Sequence, residues 1–167
     1  PRKLAAAGIG AENSLFTYAV GRLVVWVPAA SPLDPATALR QASVKHVAIA
    51  NPQHAPYGRA AQAALRSLGL YQSVEPKLVL GENVAQALQF VESGAADAGI
   101  VALSLALAPP LHARGRYWEI PLGAYPRMDQ GGIILKDSRA ARDFRGFLLS
   151  AAGRRILKQY GFFLPGE

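Results

Sequence analysis

The sequence has no cysteine, which excludes disulfides, thiolate zinc sites and a cysteine nucleophile together. It has one methionine and none at the start. The opening Pro1-Arg2-Lys3-Leu4 therefore reads as a processed or truncated beginning, with no basic and apolar leader pattern. No apolar run approaches the roughly 20 residues that cross a bilayer, so no membrane-spanning helix is expected. Charge is sparse at 17%, and acidic residues are the scarcer sign: 11 against 18 Lys and Arg, a net +7. The bases are scattered, with nothing denser than pairs such as Arg154-Arg155. A stripe that tracks phosphates would be denser, so no nucleic-acid partner is expected. What is present is apolar: 51% of 167 residues, enough for a packed core in one domain or two small lobes.

Residues 4–9 resemble the end of a helix stopped by Gly8 and Gly10. Two runs rich in Val, Phe, Tyr and Trp, residues 15–20 and 23–27, read as strands broken at Gly21-Arg22. A short helix fits residues 35–42. Three strand–loop–helix units then follow: strands at 47–50, 78–80 and 98–101, and helices at 58–68, 84–93 and 103–107. That repetition is the signature of a parallel α/β sheet. The last third changes character, with strands expected at 117–120 and 132–135 and helices at 138–150 and 151–160. Lobe boundaries are expected at Gly21-Arg22 and in the loop 109–116. Residues 1–21 would be a remnant of an outer lobe, 22–114 a continuous middle lobe, and 115–167 the C-terminal part of the outer lobe.

Ligands of open α/β sheets bind outside the carboxyl ends of the strands, and three such ends feed helix starts here. The first loop is Asn51-Pro52-Gln53-His54-Ala55-Pro56-Tyr57-Gly58. Its prolines are expected to hold it extended, and Gly58 removes bulk, so the Tyr57 and Gly58 amides can point into a cleft. In the second, Gly81-Glu82-Asn83-Val84, Asn83 suits an N-cap and Val84 N–H is an orphan donor of the new helix. Free amides at the positive end of a helix dipole suit an oxyanion, although every protein of this class has such junctions and most are merely capped. Gly8-Ile9-Gly10 lacks the strand and third glycine of a dinucleotide fingerprint. His46, His54 and His112 lie far apart without acidic partners, so no metal ion is expected. Asp97 reads as a surface or turn residue. Ser104 lacks a nucleophile-elbow context and reads as a cap or pocket-lining hydroxyl. With no acid–base pair or nucleophile constellation, catalysis is not expected.

These loops resemble those of the periplasmic molybdate-binding proteins of bacterial ABC importers, and the resemblance covers nearly the whole chain. Phe16-Thr17-Tyr18-Ala19-Val20-Gly21-Arg22-Leu23-Val24 is similar to the family's crossover strand, and Ile49-Ala50-Asn51-Pro52-Gln53-His54-Ala55-Pro56-Tyr57-Gly58 to its first anion loop. Gly81-Glu82-Asn83-Val84-Ala85-Gln86-Ala87, Asp97-Ala98-Gly99-Ile100-Val101-Ala102-Leu103-Ser104 and the closing Tyr160-Gly161-Phe162 complete it. The resemblance implies an α/β, periplasmic-binding-protein-like fold: two lobes with parallel or mixed sheets and flanking helices, closing over a tetrahedral oxyanion. It implies that the Tyr57 and Val84 amides donate to molybdate, and to tungstate, with Pro56, Gly58, Asn83, Ala102 and Ser104 lining or supporting the pocket. Some members supply a Tyr hydroxyl from the third strand end; Ala102 stands there, so that donor is absent. The family's first strand and hydroxyl-bearing loops are expected before Pro1, which would leave the outer lobe incomplete and open to self-association. No cofactor is implied; the implied partner is the importer's permease and the implied location the periplasm. The alternative is the oxyanion-sensing domain of a cytoplasmic transcriptional regulator.

Overall fold

The computed structural model describes residues 1–11 and 13–167, which divide into two compact units. One comprises Arg22–Met128; the other joins Pro1–Gly21 to Asp129–Glu167.

The chain runs α1 (Arg2–Ala6), β1 (Phe16–Gly21), β2 (Leu23–Pro28), β3 (Val47–Ala50), α2 (Pro56–Ser67), α3 (Tyr71–Val74), β4 (Leu78–Gly81) and α4 (Val84–Glu92). It continues with β5 (Ala98–Ala102), α5 (Leu103–Ala106), α6 (Pro109–His112), β6 (Gly115–Glu119), β7 (Met128–Gly132), α7 (Arg139–Leu149) and α8 (Ala151–Gln159).

In the continuous unit, five strands form one sheet in the order β4-β3-β5-β2-β6. β3 runs parallel to β4 and β5, whereas β2 is antiparallel to β5 and β6. Side chains alternate across a strand, and β2 shows the consequence. Leu23, Val25 and Val27 enter one core cluster with Val47, Ile49, Ile100, Ala61 and Leu65, against α2. Val24 and Trp26 enter a second with Ala48, Val101, Leu88 and Val91, against α4. Both faces are covered, so β2 reads as an unbroken apolar run rather than an alternating one. Burying each such Val or Leu contributes about 1.5–3 kcal/mol. Two glycines permit the closeness: a Cβ at Gly99 would lie 2.8 Å from Val91 Cγ2, and one at Gly115 would lie 2.0 Å from the Trp26 ring. Asp97 is not a simple turn residue. Its Oδ2 accepts from the N–H groups of Lys45 (2.8 Å) and His46 (2.9 Å), clamping the entry of β3 beside the entry of β5.

The expected boundary at 114/115 is displaced. β6 pairs residue by residue with β2, from Val24↔Glu119 to Pro28↔Gly115, which keeps residues 115–128 in the continuous unit. A strand was also expected at 132–135, drawn by the apolar Ile133-Ile134-Leu135. The strand is instead Met128–Gly132, paired with β1 in a two-stranded sheet.

Several hydrogen bonds tie the second unit together. Val20 and Phe163 exchange backbone bonds of 2.8 and 3.1 Å. The buried Ser14 hydroxyl donates to Ala11 O at 2.6 Å and accepts from Ile134 N–H at 3.2 Å. Ser138 caps α7, and Ser150 ends α7 while capping α8. A Cβ at Gly153 would lie 2.2 Å from Phe147 O, so glycine is what allows that tight junction. Both core clusters, however, consist of residues of the other unit. Leu135, Phe144, Phe147 and Ile156 of this unit are exposed, Phe144 to 63%.

Candidate functional site

Parallel pairing brings the two candidate loops side by side. Ala50 and Gly81 are register partners at the carboxyl ends of β3 and β4, and Asn51 N–H donates to Gly81 O at 2.7 Å. β5 lies on the other side of β3 and runs the same way, so its last residue, Ala102, ends at the same edge of the sheet.

The first loop is not extended. Residues 52–54 form turns, and α2 begins at Pro56, two residues earlier than expected. Asn51 drives this: its Oδ1 accepts from Gln53 N–H (3.0 Å) and its carbonyl from Ala55 N–H (2.9 Å). Pro56 is the first helical residue, where a missing N–H costs nothing. The N-cap is Ala55, and no side chain caps α2. Tyr57 N–H therefore lies in an opening turn that carries the positive end of a twelve-residue helix. Gly58 has a different task from the one its sequence suggests. Its N–H donates to Ala55 O at 3.1 Å rather than into a cleft. A Cβ there would lie 2.1 Å from Ala50 O, so glycine allows α2 to press against the end of β3.

The second loop follows the sequence closely. Asn83 is the N-cap of α4, and its Oδ1 accepts from the N–H groups of Ala85 and Gln86, each at 3.0 Å. Gln86 Oε1 accepts from Glu82 N–H at 2.6 Å, closing a box around the helix start. Val84, the first helical residue, lies outside that cap.

Pro56, Tyr57, Gly58, Asn83 and Val84 are thus brought to neighbouring helix starts. Ala102 is buried at the tip of β5, where it pairs with Leu23, and the half-buried Ser104 follows in the four-residue α5. One contact was missed in the sequence: His54 Nε2 lies 3.2 Å from both the backbone oxygen and Oε2 of Glu82, joining the two loops. His54 lies four positions and Glu82 one position beyond paired strand ends, a signal readable only once β3 and β4 are known to be neighbours. No group of three His, Cys, Asp or Glu able to hold a metal ion occurs among the described residues.

The family model for bacterial extracellular solute-binding proteins matches residues 1–163. The chain belongs to this family. Among its relatives, the molybdate-binding protein ModA of Rhodobacter capsulatus is 36% identical over 165 residues, which are 97% of this chain and 64% of the relative. ModA of Azotobacter vinelandii is 39% identical over 98% of this chain and 67% of its own length. The chain thus spans about two thirds of these relatives. The solved periplasmic molybdate-binding protein of Azotobacter vinelandii superposes with a TM-score of 0.87 at 33% identity, covering 99% of this chain and 74% of that one. The family fold is the periplasmic-binding-protein-like α/β fold that the motifs imply, and the chain accounts for part of it.

Proposed function

We propose that this chain holds molybdate, and tungstate, as part of the solute-binding component of an ABC importer in the periplasm. The observation that carries this reading is the pair of neighbouring helix starts at the ends of β3 and β4, in a chain 36–39% identical to proteins named molybdate-binding. In this reading the Tyr57 and Val84 N–H groups donate to oxygens of the dianion. Pro56 and Gly58 set the first turn of α2 on its strand, Asn83 directs α4, and Ala102 and Ser104 line the third strand end.

The chemistry is capture without reaction. Neutral amides at helix N-termini attract an anion through partial charges that need no proton transfer. Oxyanions of equal charge are then separated by size and donor number rather than by charge. The net +7 favours encounter with a dianion, an effect that weakens with salt. The same reading supplies the partner, a membrane permease that receives the loaded protein.

Native mass spectrometry of the 167-residue chain with molybdate, tungstate, sulfate and phosphate tests the proposal. Weak retention of molybdate and tungstate, at about millimolar anion, in preference to the other two is expected. Equal retention of all four, or of none even at tens of millimolar, would overturn it.

A further inference from the structure

The two loops meet through a side chain as well as through the sheet. His54 Nε2 has two oxygens of Glu82 at 3.2 Å, the backbone carbonyl and Oε2. A carbonyl oxygen only accepts, so Nε2 carries the proton and the imidazole is the donor across the gap. His54 precedes Tyr57 by three residues, and Glu82 precedes Val84 by two. The contact therefore links the segments from which both proposed N–H donors start.

Each helix is already fixed to its own strand. Gly58 presses α2 against Ala50, and Gly81 lies so close to α4 that a Cβ would sit 2.8 Å from Ala87 N. What the two strand-end contacts leave open is the separation of one loop from the other beyond the last bond, Asn51 N–H to Gly81 O. His54 spans that separation. We infer that His54 is a positioning residue of the oxyanion site, holding the Tyr57 and Val84 N–H groups at the spacing that suits a large tetrahedral oxyanion. This rests on the reading under Proposed function and adds its size selectivity. Two donors at a fixed spacing match one edge length of a tetrahedron, whereas donors free to drift serve a smaller anion as well. The other charged groups on these loops are the Glu82 carboxylate itself and Arg59, whose Nη1 is 3.5 Å from Pro52 O within the first loop.

The experiment is an amide-resolved NMR titration of the full chain with molybdate and with sulfate, in wild type, His54→Ala, His54→Gln and Glu82→Gln. His54→Ala should weaken molybdate binding by about threefold to tenfold, the span of one hydrogen bond, and lower the molybdate-to-sulfate ratio. Gln offers an amide N–H near the same place, so His54→Gln should recover much of the ratio. Glu82→Gln keeps the backbone acceptor and should change the ratio less than about twofold. An unchanged ratio in His54→Ala, with or without a lower melting temperature, overturns the inference. So does a Gln variant no better than Ala. If wild type binds neither anion, the proposed function itself fails, an outcome distinct from wild-type binding that ignores His54.

Discussion

Tyr125 is the side chain whose loss should be felt most cleanly at the residue scale. Its Oη accepts from Leu23 N–H at 3.1 Å, next to a side chain buried in the first core cluster. Tyr125→Phe keeps the ring and strands a buried donor, so we expect a loss of about 1–3 kcal/mol in urea unfolding at neutral pH. Burial also raises the Tyr125 phenol above its ordinary value, against smaller opposing effects from the Leu23 N–H bond and the Arg22 charge. The sign follows from linkage. Below about pH 10 the phenol is protonated in both states and its contribution is complete. Above that the unfolded chain loses the proton first, and stability falls until the native phenol titrates as well. Wild type should lose stability on this limb faster than Tyr125→Phe; parallel limbs would contradict the assignment. Gly58 supplies the second test at this scale. Gly58→Ala forces a methyl against the Ala50 carbonyl, for which we expect about 1–3 kcal/mol of destabilisation and weakened molybdate binding. Tyr57→Phe leaves the backbone donor intact and should bind as wild type does, which an NMR titration would check.

At the scale of elements, the informative comparison lies between the two helix starts. α4 is capped by Asn83 and Gln86, while α2 opens on Ala55 with no side-chain cap. At α4 two of the orphan N–H groups are committed to Asn83, and Val84 N–H lies outside that cap. Asn83→Ala should cost about 1 kcal/mol of stability through the lost cap. Asn83→Asp should keep the cap, since a carboxylate accepts the same two bonds, while setting a negative charge beside the anion. We expect near-native thermal unfolding with weaker molybdate binding for Asn83→Asp, and loss of both for Asn83→Ala. Equal binding by Asn83→Asp and wild type would remove the start of α4 from the site.

The whole molecule is uneven in how it is stabilised. Arg22–Met128 is continuous and contains both core clusters, together with all three strand ends of the candidate site. Expressed alone, residues 22–128 should unfold in one cooperative urea transition with a slope of about 1–3 kcal/mol/M. A broad transition lacking near-ultraviolet signal from Trp26 would show that this unit depends on the other. The second unit presents α7 with Phe144 and Phe147 exposed and none of its residues buried. Phe144→Ser should therefore shift stability of this chain by no more than about 0.5 kcal/mol.

Much of this was legible in the sequence, because it depends on neighbours along the chain. Apolar runs of four to six residues, the glycines after them, and Asn83 followed by Gln86 state strand, stop and helix start locally. From these follow the three strand–loop–helix units and the location of Tyr57 and Val84. The rest is decided between residues far apart in sequence. β6 belongs to the continuous unit because it pairs with β2, which moves the boundary from 114/115 to 128/129. Gly58 lets α2 press against Ala50, Asp97 clamps two strand entries, and His54 finds Glu82 28 residues away. Local propensity is set by each residue's own backbone and side-chain preferences, whereas these contacts exist only once the sheet order brings their partners within a few ångströms.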